Sequence, residues 1–186
     1  MIREAPSRQQ GLIKHFRYLA DTGGFEPVLS AIMVQAQSVT LDEDENLVVQ
    51  FSGEKRLTCR PPEDPEIYTS WPESFCRLVA VHGFISFPDD SGWALNLGDM
   101  GGFDYSFLEE GDNERLLSLV DSPEEILNPF TDYSDWWIYH PTEKNPQGEP
   151  LLCLFSHESC EVEKKCPYNA GSLLLARMAE VLNSHP

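Results

Sequence analysis

Four side chains with metal-ligand or nucleophile chemistry crowd into one stretch: Cys153, His157, Cys160 and Cys166 lie within fourteen residues. All four are acceptable zinc ligands, but a structural finger is positioned by a close C-x2-C pair, and here the spacing is C-x3-H-x2-C-x5-C. Cys153 also falls inside the apolar run 150–155, where a thiol behaves as a small buried hydrophobe. A thiol nucleophile would need a histidine to take its proton and a third group to orient that histidine. Five cysteines and five histidines supply the ingredients without any flanking motif that would arrange them. No metal, cofactor or catalytic residue is assigned; a small metal-dependent or thiol enzyme built on 153–166 is the alternative reading. The acidic pairs Asp89 and Asp90, Asp99 with Asp104, and Glu109 and Glu110 could hold a cation or do acid–base work, yet Asp-x-Asp calcium-loop spacing is absent from them. The glycine-rich 98–102 lacks the lysine of a phosphate cradle. Trp136 and Trp137 are adjacent, so on a strand one indole enters the core and the other faces solvent or a partner. With Tyr139 and the acidic residues Asp89, Asp90, Asp99 and Asp104, they form the candidate protein-binding set.

The totals bound what surrounds these residues. A chain of 186 residues with ten Phe, six Tyr and four Trp is a globular protein, with one domain as the expectation. Thirty-one acidic against thirteen basic side chains give a net charge of −18. Such a surface repels phosphates and favours basic protein partners, so no direct nucleic-acid contact is expected. No apolar run reaches the length of a bilayer span and no secretory leader is legible, which predicts a cytoplasmic protein without a membrane contact. An odd number of cysteines in that setting reads as reduced thiols.

The elements that must position the candidates follow from periodicity. Ser7 with Gln10 is a capping box opening a helix over 7–21, ended by Gly23 and Gly24. A helix over 26–37 starts at Pro27, and a β-meander over 38–60 follows, with an acidic turn at 42–46 and a second turn at Gly53. The prolines of 61–65 forbid regular structure. Ser70 with Glu73 reads as a capping box for a helix whose stripe is Trp71, Phe75, Leu78, Val79 and His82, stopped by a left-handed Gly83. On that stripe His82 is a half-buried histidine stabilised by the helix C-terminal dipole. Strands are expected at 84–87, 93–97 and 103–108, and helices at 113–120 and from Ser122 to a stop at Pro129. A hairpin of 135–139 with 150–155, a further strand near 159–163 and a last helix capped by Asn169 complete the chain. Helices and strands without βαβ alternation predict an α+β fold, a mostly antiparallel sheet with helices on one side. Residues 1–60 form its N-terminal helix and meander, and 61–186 its core.

The segment Trp71-Pro-Glu-Ser-Phe-Cys-Arg-Leu-Val-Ala-Val-His-Gly83 resembles the signature of the SUKH superfamily, which contains bacterial immunity proteins and a fungal regulator of cell-wall synthesis. That signature runs Leu-Pro-x-x-Tyr-x-x-Phe-Leu, three variable residues, then Asn-Gly-Gly. Here Pro72 matches, Trp71 and Phe75 replace the leucine and tyrosine, Leu78 and Val79 take the Phe-Leu places, and His82-Gly83-Phe84 stands for Asn-Gly-Gly. The likeness continues loosely over 61–182. It implies a SUKH-like α+β domain and a protein-binding role, namely an immunity protein that neutralises a toxin by direct association. The acidic balance makes a basic toxin such as a nuclease the expected partner. A regulatory or scaffold subunit without a toxin partner is the remaining reading.

Overall fold

The computed structural model describes residues 7–88, 94–98 and 125–183. They form an α+β fold in which nine strands make one antiparallel sheet in sequential order. The strands are β1 (Ser38–Leu41), β2 (Leu47–Gln50), β3 (Arg56–Cys59), β4 (Phe84–Pro88), β5 (Ala94–Gly98), β6 (Phe130–Asp132), β7 (Asp135–Lys144), β8 (Pro150–Phe155) and β9 (Val162–Cys166). The helices are α1 (Arg8–His15), α2 (Glu26–Met33), α3 (Glu73–Val79) and α4 (Ala170–Asn183). The strand expected at 103–108, the helix at 113–120, the start of the helix expected from Ser122 to Pro129 and the turn at 89–93 lie outside the described residues, while 126–129 form no helix.

Pairing decides the faces. Val49 opposes Leu57, Cys59 opposes Ile85, and the row continues through Leu97, Phe130, Trp137 and Leu154. These side chains meet Phe16, Leu29, Ile32, Met33, Phe75, Leu78, Leu174 and Met178 from the helices in the main core. Each such side chain, fully buried, contributes about 1.5–3 kcal/mol. Strand alternation sends the next residues to the other face. There Ile138, Cys153 and Phe155 pack with Ile126 and Cys160 in a second, smaller cluster.

Several local expectations are corrected. The first helix keeps its capping box, with Ser7 Oγ accepting from the Gln10 amide, but tightens after His15 into a 3-10 segment, Phe16–Ala20. Phe16 and Leu19 are both buried there, and i, i+3 eclipsing suits that winding. The capping box at Ser70 does not form. Proline-rich 61–65 gives way to a 3-10 turn, Pro65–Tyr68, capped by Asp64, and α3 starts after Pro72 without a side-chain cap of its own. Its missing acceptor arrives from elsewhere in the chain: Glu149 Oε1 accepts from the Ser74 amide at 2.8 Å and Oε2 from the Ser74 hydroxyl at 2.6 Å. Nor is Gly83 a left-handed stop, since its φ is not among the positive values. A Cβ there would run into the Glu63 side chain, which would have to move aside.

Two hairpins explain the remaining differences. β6 is a strand the sequence did not announce, because its turn, Tyr133-Ser134, lacks the usual Asn or Gly although Tyr133 takes φ 60°. β9 starts later than expected, since 156–161 closes a loop through the Cys160 amide to Ser156 O and the Ser156 amide to Glu161 O, with Cys160 at φ 53°. The β7–β8 turn is held by Asn145, whose Oδ1 accepts from the amides of Gln147 and Glu149 at 3.0 Å each. That turn aims Glu149 at α3.

Candidate protein-binding site

The candidate aromatic residues divide between the two faces of β7. Trp137 is 6% exposed and Tyr139 7%, both in the main core. They are therefore core side chains and not contact residues, a correction to the sequence reading. Trp137 stacks into the row opposite Leu154 and donates from Nε1 to Asp132 Oδ2 at 3.5 Å. Tyr139 lies edge-on to Trp71, and its buried hydroxyl finds no hydrogen-bond partner among the described residues. Burial, and then the nearby Glu149 charge, push that phenol far above its ordinary pKa. Trp136 points to the other face, half-buried, opposite Thr131 and Phe155. It ends a polar row across the sheet, in which Ser86 Oγ donates to Asn96 Oδ1 at 2.8 Å and Asn96 Nδ2 to Thr131 Oγ1 at 3.3 Å. Asp89, Asp90, Asp99 and Asp104 lie outside the described residues.

Described acidity is densest at the β1–β2 turn. Residues 42–45 are all exposed. The Asp42 carboxylate accepts from the Asp44 and Asn46 amides and from Asn46 Nδ2 at 2.8–3.0 Å, which holds its pKa below the usual carboxylate value. Glu45 adopts the left-handed φ of 63° that closes this turn, which presents Glu43, Asp44 and Glu45 to solvent.

The cysteine and histidine residues do not converge. Leu152 opposes Cys166 and Cys153 opposes Lys165, so Cys153 and Cys166 point to opposite faces of the sheet. His157 Nδ1 instead meets Asp135 Oδ1 at 2.8 Å. Among the described residues no group of three His, Cys, Asp or Glu side chains could hold a metal ion. Burial raises the Cys153 thiol to about 11, and raises Cys59 and Cys166 as well, the opposite of what a thiolate nucleophile needs.

Sequence reasoning missed three tertiary polar links. His82, expected half-buried, is 5% exposed, and its ring is held by tertiary partners. Its Nδ1 lies 3.1 Å from Arg60 O and its Nε2 2.9 Å from His15 Nε2. Burial, which disfavours the charged ring, lowers both histidine pKa values, and for His82 the facing His15 charge lowers it further while the bond to Arg60 O opposes the shift. Arg177 of α4 grips buried Asp132, with Nε 2.7 Å from Oδ2 and Nη2 donating to Oδ1 at 3.1 Å. This pair edges a cleft of about 340 Å³ between α4 and β6–β9, with Tyr133, Trp137, Lys164 and Tyr168 on its walls. Lys55, also buried, donates to Val181 O at 3.1 Å near the C-terminus of α4. The side-chain pairs His15–His82 and Arg177–Asp132 and the Lys55–Val181 bond each join residues more than forty positions apart, so no local motif could have flagged them.

No helix among the described residues is long and apolar enough to cross a membrane. Comparison with family models, curated proteins and solved structures returned no match to this chain.

Proposed function

We propose that the chain is a non-enzymatic protein-binding module, an immunity protein of the SUKH kind that neutralises a basic toxin such as a nuclease by direct association. The class rests on the resemblance at 71–83, and the partner chemistry rests on charge. The observation that carries the reading is the net charge of −18, with the run 42–45 exposed on the turn between β1 and β2. A field of that sign accelerates encounter with a basic surface and disfavours nucleic acid itself. Trp136, the one member of the aromatic set that leaves the main core, supplies an amphipathic side chain of the type that anchors interfaces.

The test is a pull-down and a binding titration against the product of the adjacent reading frame, begun at low ionic strength. A complex whose association rate falls as salt is added, and falls again when Glu43 and Asp44 are changed to lysine, is the expected result. Absence of a complex at low ionic strength overturns the immunity reading.

A further inference from the structure

The two edges of the sheet are built differently. β9 carries Glu163, Lys164 and Lys165 along its length, the charged side chains that keep an edge from pairing. β1, Ser-Val-Thr-Leu, carries none, and its burial is slight throughout. The hairpin fixes which of its backbone groups are free. Asp42 N donates to Asn46 O at 3.1 Å, so Asp42 and Asn46 form a hydrogen-bonded pair, and antiparallel alternation makes Thr40 with Val48 and Ser38 with Gln50 the next ones. The N–H and C=O groups of Val39 and Leu41 therefore point away from β2, and no described residue pairs with them. Their side chains lie on the helix-bearing face, with Val39 half-buried and Leu41 68% exposed.

The charges at the two ends of this strand are opposite. Its C-terminal end runs into the exposed carboxylates of 42–45, and at its N-terminal end the Arg8 guanidinium donates to Gln37 O at 2.5 Å. An edge with opposite charges at its two ends is complementary to itself when turned end for end.

We propose that β1 is a homodimerisation edge, on which a second copy of this chain pairs its own β1 antiparallel across a two-fold axis at Thr40. In that register Val39 of each copy exchanges both backbone hydrogen bonds with Leu41 of the other, which satisfies the outward groups of both strands. Leu41 of one copy covers Val39 of the other on the same face, and each acidic turn comes alongside the other copy's Arg8. The two sheets become one continuous sheet, an isologous contact that closes on itself. A basic strand from an unrelated protein would satisfy the acidic end but would face Arg8 at the other, so the second copy is the better fit. This inference does not depend on the immunity reading.

Sedimentation velocity across a concentration series, at about 0.15 M salt where a Debye length of ~8 Å screens the repulsion between two acidic copies, tests it. The expected result is a reversible dimer, with amide exchange at Val39 and Leu41 slowing as concentration rises. Leu41→Lys, at an exposed position where the fold is not at stake, should yield a monomer with an unchanged circular dichroism spectrum. Arg8→Glu should weaken the dimer at least tenfold. A wild-type protein that stays monomeric, a dimer indifferent to Leu41→Lys, or a monomer that loses toxin binding on Leu41→Lys would each overturn the proposal; the last would assign the edge to a foreign strand. Failure here leaves the toxin pull-down untouched, because that experiment reads a different complex.

Discussion

Replacing Glu149 by alanine tests how α3 is held. The helix has no cap of its own, and Glu149, delivered from the β7–β8 turn, accepts both the amide and the hydroxyl of Ser74. A lost helix cap costs about 1 kcal/mol, and a hydrogen bond to a charged group is worth roughly 1.5–3 kcal/mol. The two bonds share one carboxylate that is only half-buried, so their sum is reduced by solvent, and about 2–3 kcal/mol is expected for Glu149→Ala. In a chain of this size that corresponds to a fall in Tm of about 4–12 °C. Ser74→Ala removes the hydroxyl bond but keeps the backbone one, so it should cost about 1 kcal/mol, and the double variant should show coupling of about that size. Urea unfolding followed by tryptophan fluorescence reads all four proteins of the cycle. Glu149→Ala within about 0.5 kcal/mol of wild type, or additive single variants, would refute the claim that a distant carboxylate caps this helix.

Other consequences are open to measurement. Burial lowers the pKa of His15 and His82 from 6.5, so between that value and the lower folded ones the unfolded chain binds more protons. Their contribution is complete above 6.5 and is lost as pH falls below it; His82→Gln should flatten the acid limb of a stability-against-pH curve. Trp137→Ala should cost about 3–5 kcal/mol because it empties a core position, while half-buried Trp136→Ala should cost clearly less, as read by chemical denaturation. Cys59, Cys153, Cys160 and Cys166 are buried and Cys76 is only partly so. A thiol reagent at neutral pH should label at most Cys76 in the native protein, and all five cysteines after unfolding, counted by mass spectrometry.

Much of the architecture was legible because local chemistry dictates it. Ser7 and Gln10 specify a cap within four residues, Pro27 suits a helix start, and the two-residue period of 38–60 specifies a meander. The stripe Phe75, Leu78 and Val79 is buried as its spacing requires. Alternation also dictated that Trp136 and Trp137 part company. Which of them enters the main core was decided by register alone, since a strand has two equivalent faces until its neighbours choose one. Tyr139, two residues after Trp137, necessarily follows it inward.

The opening of α3 shows the limit most clearly. Ser70 and Glu73 have the letters of a capping box, yet the preceding 3-10 turn displaces the start of the helix and hands the capping role to a residue 75 positions away. His82 has the position of a dipole-stabilised ring, yet the meeting of α1 with the segment after α3 buries it against a histidine neighbour, and burial lowers its pKa instead. The cysteine and histidine run looked compact in sequence, and the pleat of β8 and β9 dispersed it. By itself the sequence determined element types, the acidic surface and the amphipathic faces, because these depend on neighbours within a few bonds or on composition. Tertiary structure alone decided the partners of Glu149, His82, Asp132 and Lys55, and left β1 as the uncharged edge, because each depends on which distant segments the sheet brings together.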